Sequence, residues 1–517
     1  ETDSKMTPDF SYTKYFPSKF TEISMYAVRI ILLVYLTTIL GFLYALVLTI
    51  SAAHLFRFTI STLLGLDNLN IGDKIFVFEN GNQNVTVGGV LHIDDYDYET
   101  IRKQVKERLF YKIPKLSSKL VQYFGEFFWD TPRMKNIPQE ERDRIAESRI
   151  RRVKVKEEKG LKEYLQDQIN LPLCIFECPI EFHLIEIEED GITKEQPQKG
   201  CLLLKLDHTF SDGMGIIGMI GFLDNEFDIN KYPEFMRKKL GWSFYLKAFI
   251  DYLLAPTLGL IWYIRYSIEI SKQHLKYKPF YDAEQGTRKA SKVCRISDIA
   301  SFDLEPIKAF GKRNKTTLND LIVYSLFKTL KKISPDSKKI LTLIPIGFSN
   351  LPTKPEEIEL YNKTSGLVDN LQLPELNDHD YNHSNSDSST NDKSSKYKIV
   401  DVFGALYRVR FLFVLCYVLS DLIPFSAMKA IQLQVTPELS VSNAPGATKE
   451  LRIGRCKVYK VYPITNTSFL GIFVAMCSYM GQVHVFTSID KAIDIDPDEF
   501  SRMYGQTLNN LTQGKEE

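Results

Sequence analysis

The fold turns on one stretch, Cys201–Gly215, which reads CLLLKLDHTFSDGMG. LLLKLDH is a hydrophobic strand coming out of a core, and GMGIIGMIGF is a helix leaving the turn. The connection, Thr209–Gly213, is tight, and Gly213 and Gly215 permit close backbone approach or unusual dihedrals. His208 at the strand end faces whatever cleft adjoins the sheet. Imidazole titrates near neutrality, so His208 can take a proton from a hydroxyl at physiological pH. Asp212, four residues on, can hold the turn in shape or orient a basic group. On spacing alone, a satisfied loop histidine is the plainer reading.

Outward from this turn, elements of both periods alternate. VTVGGVLHI (Val85–Ile93), IEFHLIEIEE (from Ile180), CKVYKVYPI (from Cys456) and GQVHVFTSI (from Gly481) read as strands. YETIRKQVKERLF (Tyr98–Phe110) and TLNDLIVYSLFKTLKKI (from Thr317) read as amphipathic helices, the second with a Thr/Asn start. The mixed order predicts an α/β architecture with mixed sheets. At 517 residues the chain is too long for one ordinary core. Its net charge of +1 gives no basic field for nucleic acid. The seven cysteines show neither a disulfide framework nor paired metal-ligand spacing.

Three stretches read as apolar surfaces. Ile30–Ile50, IILLVYLTTILGFLYALVLTI, carries no charge and reaches the ~20 residues a helix needs to cross a bilayer core of ~30 Å. It predicts a single transmembrane helix, with a buried core helix as the alternative. Tyr252–Ile264 is shorter and contains Pro256, which suits an interfacial or re-entrant segment. Phe411–Phe425 is interrupted by Asp421 and Pro424 and fits either a core helix or a membrane-surface helix. Leu376–Lys398 is rich in Ser, Asn and Asp and reads as a disordered loop, so His379 and His383 are discounted as metal ligands.

DHTFSDG is similar to the HHxxxDG motif of coenzyme-A-dependent acyltransferases and condensation domains. More of the chain resembles the wax ester synthase/diacylglycerol acyltransferase family. The resembling blocks are NVTVGGVLHIDDYDYETIRKQVKERLFYKIPKL, the central strands with the motif, TTLNDLIVYSLFKTLKK, YNKTSGLV, and VSNAPGATKELRIGRCKVYKVYPI followed by YMGQVHVFTSID. They run in the family's order over roughly residues 66 to 515.

The resemblance implies two pseudo-symmetric acyltransferase-like lobes with a tunnel between them, following the N-terminal helix. The expected division is an N-terminal segment 1–60, a first lobe 61–230, an apolar crossover 231–290 and a second lobe 291–517 with its loop near 377–397. His208 matches the general base, which deprotonates an acceptor hydroxyl for attack on an acyl-CoA thioester. Asp212 and Gly213 match the rest of the motif, and Asn319 and Asp320 match an Asn-Asp pair lining the site. No metal and no cofactor is implied beyond acyl-CoA as co-substrate. The implied partners are a long-chain alcohol or diacylglycerol and membrane lipids. The endoplasmic reticulum is the implied membrane. A mitochondrial membrane, reached through a transit segment ahead of Glu1, is the alternative.

Three positions depart from the family pattern. Asp207 replaces the first histidine, Ile180 and Glu181 stand where Leu and Trp are expected, and no arginine follows at Phe348-Ser349-Asn350. These departures define an alternative from another class: a catalytically impaired protein of the same fold, serving as a lipid-binding or structural subunit of a membrane complex.

Overall fold

The structure is a computed structural model. It describes residues 55–69, 71–77, 85–188, 198–236, 281–282, 287–288, 291, 293–347, 351–374, 437–467 and 470–513, together with scattered positions between 30 and 52. The chain divides into two compact units, Glu1–Thr59 and Ile60–Glu517. In the first, every described residue is helical, and Leu33, Val34, Tyr35, Tyr44 and Leu48 are exposed. Among the described residues no helix is long and apolar enough to cross a membrane. The expected span, Ile30–Ile50, is described only in part. Most of the crossover, the polar loop from Leu376 and the Phe411–Phe425 stretch lie outside the described residues.

Two sheets organise the second unit. Strands β1 (Thr86–Asp94), β2 (Ile150–Lys156), β3 (Ile180–Glu188) and β4 (Lys199–Asp207) build the first. The second contains β5 (Cys294–Ile296), β6 (Ala300–Asp303), β7 (Lys339–Gly347), β8 (Thr364–Gln372) and β9 (Leu439–Pro445). The chain then returns to the first sheet with β10 (Leu451–Ile453) and β11 (Cys456–Thr465). It ends in the second with β12 (Ile472–Tyr479) and β13 (Gln482–Asp490). The spatial orders are β10-β11-β1-β4-β3-β2 and β5-β13-β12-β9-β7-β8, with β6 also paired to β13.

The lobes are therefore interlocked rather than consecutive. Strands β10 and β11 belong by sequence to the expected second lobe but join the first sheet, β10 pairing with β11 and β11 with β1, Val461 opposite Leu91. A third layer of side chains joins the two sheets. Val90, Ile185, Leu203 and Ile464 from the first pack with Ala475 and Phe486 from the second. Strand β4 is an inner strand, buried along almost its whole length between β1 and β3. Such a strand reads as a near-continuous hydrophobic run, as Leu202–Leu204 does.

Helices cover the outer faces. Tyr98–Phe110 is helical as its spacing predicts, but the α-helix α2 (Tyr98–Gln104) gives way to a π-helical turn from Val105. It is preceded by the seven-residue helix α1 (Ile71–Val77). Helix α3 (Gln139–Arg149) leads into β2, and α4 (Glu157–Asn170) packs Leu161, Leu165 and Ile169 into the layer between sheets. Helix α5 (Gly213–Leu223) is apolar on every side and buried from Gly215 onward, as an all-round hydrophobic helix must be. In the second lobe, α6 (Leu304–Arg313), α7 (Leu318–Ile333) and the closing helix α8 (Pro497–Gln513) share one core with β7, β9, β12 and β13.

Candidate active site

Asp207 is the last residue of β4 and His208 the first of the turn. The turn is seated by Phe210, fully buried with its ring edge-on to Trp129 at 5.5 Å. Burying such a side chain is worth roughly 1.5–3 kcal/mol, enough to fix the loop against the core. The His208 amide donates to Val85 O at 2.8 Å, and its carbonyl accepts from Asn362 Nδ2 at 2.7 Å. The imidazole is half-buried and lies flat on Phe76, with ring centroids 3.7 Å apart and planes within 6°. Its Nδ1 is buried and has no hydrogen-bond partner. Burial pushes the ring below its ordinary 6.5, while backbone groups and the Asp212 carboxylate pull the other way. Burial thus favours the uncharged imidazole, whose ring lies on Phe76 and whose Nδ1 is unengaged.

Asp207 turns away from that ring. It is buried, and its Oδ1 accepts from the Thr209 amide at 2.9 Å. Burial raises its carboxyl to about 7, with the Thr209 hydrogen bonds opposing. Asp212 is the N-cap of α5, and its two oxygens are divided between lobes. Oδ1 accepts from Met214 N at 3.0 Å and Gly215 N at 3.2 Å. Oδ2 accepts from Lys363 N at 3.0 Å and the Thr364 hydroxyl at 2.9 Å. Four neutral donors satisfy the carboxylate, so the arginine absent after Phe348 leaves no gap at Asp212. The glycines divide differently from the expectation. A Cβ on Gly215 would meet Ser211 Oγ at 2.0 Å, whereas one on Gly213 would meet nothing within 4 Å. Gly215, not Gly213, is the position where close approach requires glycine.

The structure does not bring Asn319 and Asp320 to the motif turn by any described hydrogen bond or ion pair. Asp320 closes a capping box at the start of α7, where its Oδ2 accepts from the Thr317 hydroxyl at 2.6 Å and Asp320 N donates to Thr317 Oγ1 at 3.1 Å. Asn319 is exposed. At the positions that depart from Leu-Trp, Ile180 joins the core, and Glu181 bonds His183 at 2.9 Å and pairs with Arg151.

Four residues that the sequence reading did not single out complete the site: Asp73 and Phe76 on α1, Lys115, and Asn362 just before β8. Asp73 is buried, and its Oδ1 accepts both the amide and the Nδ2 of Asn362, each at 2.8 Å. Lys115 lies 3.9 Å from Asp73 Oδ2 and donates to the carbonyls of Phe210, at 3.1 Å, and Leu360. Its ammonium also sits over the Trp129 ring, 4.4 Å from the centroid. Burial raises Asp73 to about 6 and lowers Lys115 to about 8, each partly offset by the other's charge. One sequence signal existed for this contact. Gly72 must be glycine, because a Cβ there would lie 2.2 Å from Asn362 O.

Two interlocked sheets, with a histidine following an inner strand and an aspartate capping the next helix, form a fold similar to several solved structures. The fold is similar to the starter condensation domain of rhizomide synthetase, with TM-score 0.53, 8% identity, and coverage of 88% of this chain and 95% of that one. It is also similar to the trichothecene 15-O-acetyltransferase of Fusarium sporotrichioides, with TM-score 0.52, 11% identity, and coverage of 85% and 93%. The wax ester synthase/diacylglycerol acyltransferase of Marinobacter aquaeolei VT8 matches with TM-score 0.49, 15% identity, and coverage of 86% and 99%. No curated protein matches the chain by sequence. Residues 407–512 match the family model described as the WS/DGAT C-terminal domain.

Proposed function

We propose that the protein transfers a fatty acyl group from acyl-CoA to the hydroxyl of a long-chain alcohol or diacylglycerol, with His208 as general base. The observation that carries this is the setting of His208: its ring flat on Phe76, its carbonyl held by Asn362, and its Nδ1 unengaged. The imidazole accepts the hydroxyl proton as the oxygen attacks the thioester carbonyl. Collapse of the tetrahedral intermediate breaks the C–S bond, and the imidazolium returns its proton to the leaving thiolate. The thioester is already activated, so positioning and charge stabilisation suffice.

The departures from the family pattern are compatible with this chemistry. Asp207 is engaged with Thr209, and Asp212 is fully satisfied as a brace. We read Ile30–Ile50 as the membrane anchor that brings the site to lipid substrates. Its threonine hydroxyls are satisfied within the helix, Thr38 on Val34 O at 2.7 Å and Thr49 on Ala45 O at 2.8 Å. Internal satisfaction is what a bilayer demands of polar groups.

The test is acyl transfer by purified full-length protein from acyl-CoA to long-chain alcohols or diacylglycerol. His208→Ala should lower the rate ~10²-fold or more. Equal turnover by wild type and variant ends this reading.

A further inference from the structure

We propose that helix α1, outside the recognised motif, belongs to the active centre: Phe76 sets the plane of the His208 ring, and Asp73, acting through Asn362, fixes the backbone from which that ring hangs. This deepens the reading of His208 as general base and rests on it.

The geometry is direct. Asp73 and Phe76 are three residues apart on one short helix and so share a face. Phe76 covers one whole face of the imidazole at 3.7 Å and 6°. Partial rotation of the imidazole about its bond to Cβ would drive an edge into the phenyl ring, so the stack fixes the plane of the ring. The Asn362 side-chain amide has two N–H groups, and its Nδ2 serves two acceptors, Asp73 Oδ1 and His208 O. The carboxylate orients the amide, and the amide orients the His208 peptide. Lys115 fixes the same loop two residues later, at Phe210 O. Gly72 lets α1 press directly on Asn362.

A buried carboxylate is a poor device for stability alone. Its desolvation is costly, and the Lys115 ammonium stands 3.9 Å from it. Placing that cost beside the turn that carries His208 is the pattern expected when a side chain serves geometry. Phe76 and Asp73 are positioning residues here, since the proton passes to neither.

Among the described residues, the charged groups around His208 are Asp212 on its own turn, Asp73 on α1, Lys115 beneath the turn, and Lys363 from the second lobe, which pairs with Glu359. None of these changes in Phe76→Leu, so a shift in the His208 titration reports the lost ring cover. Phe76→Leu should lower kcat by ~10-fold or more at similar KM, the scale of a misplaced reacting group. It should also move the acid limb of the pH profile up toward 6.5. Asp73→Ala should lose kcat in the same way, and Asp73→Asn, which keeps an acceptor for Asn362, should restore most of it.

A readout independent of turnover is carbethoxylation of His208 by diethyl pyrocarbonate, followed peptide by peptide in the full chain. Phe76→Leu should speed it at His208. If that variant fails to fold, Phe76→Met, flexible and similar in volume, takes its place. Wild-type kcat, acid limb and carbethoxylation rate in a folded Phe76 variant overturn the proposal. Absence of acyl transfer by the wild type overturns the functional reading instead, and the modification rate still decides the contact.

Discussion

Two aspartates stand at the starts of two helices, and the structure uses them differently. Asp320, three residues into the cap of α7, closes a box with Thr317, and every described bond it makes lies within one turn of its own helix. Asp212 caps α5 with one oxygen and reaches Lys363 and Thr364 of the other lobe with the second. Both obey the preference for acidic groups at helix N-termini. Only one of them also ties the lobes together. Helix-start chemistry is therefore cheap to read in a sequence, while the long-range use of the spare oxygen is what makes a site.

The largest effect should fall on Asp212. Asp212→Ala removes a cap worth ~1–2 kcal/mol and leaves the donors of Lys363 and Thr364 without their acceptor at ~1 kcal/mol each. Urea unfolding should show a loss of about 3 kcal/mol in total. Acyl transfer should fall as well, because the turn carrying His208 loses its hold on the second lobe. A loss no greater than that of Asp320→Ala would break the comparison.

The next effect is in pH. A base whose folded value lies below 6.5 stays neutral further into acid, so the acid limb of kcat/KM should fall below that value. The sign for stability follows from the same shift. Below 6.5 the unfolded chain binds the proton first, so the His208 contribution weakens as pH falls. An acid limb above 6.5 would mean that the ring is not covered as described.

These contrasts mark what a single sequence discloses. The strand, turn and helix of Cys201–Leu223 were legible because each is set by neighbours within a few residues: a run of leucines, an Asp cap, an apolar helix. The strand character of Cys456–Thr465 was legible too. Its partner was not, because pairing with Thr86–Asp94 is a contact across more than half the chain. Asp73 and Phe76 escaped for a related reason. Seven residues carry too few periods to announce a helix, and nothing local shows that the helix lies on His208. Asn362 sat inside a stretch matched by resemblance, but its role depends on an aspartate 289 residues away.

Asp320→Ala should be milder. The capping box is partly exposed, so its loss should cost ~0.5–1 kcal/mol in urea unfolding. Since no described bond links Asp320 to the motif turn, the acid limb should stay where the wild type has it. A shifted limb would place the Asn-Asp pair in the site after all and erase the difference between the two helix starts.

The last contrast, whose gentler arm should be nearly silent, sharpens the comparison inside α5 itself. Gly213 and Gly215 look alike in sequence, and the motif resemblance points to Gly213. The geometry reverses their weight. A methyl group at Gly215 would press on Ser211 Oγ at 2.0 Å and approach Leu360 Cδ2 at 3.3 Å, in a segment already closed by the Asp212 cap. Ser211 is itself fully buried, so its hydroxyl has little room to give. Overpacking of this kind typically costs ~1–3 kcal/mol. At Gly213 the space is open and the residue begins a helix, where alanine fits better than glycine by up to ~1 kcal/mol. Gly215→Ala should therefore lower the thermal midpoint, and Gly213→Ala should leave it level or raise it. If Gly213→Ala keeps the fold but loses acyl transfer, the open space above that residue is where substrate lies, and the motif glycine is there for the ligand rather than for the turn.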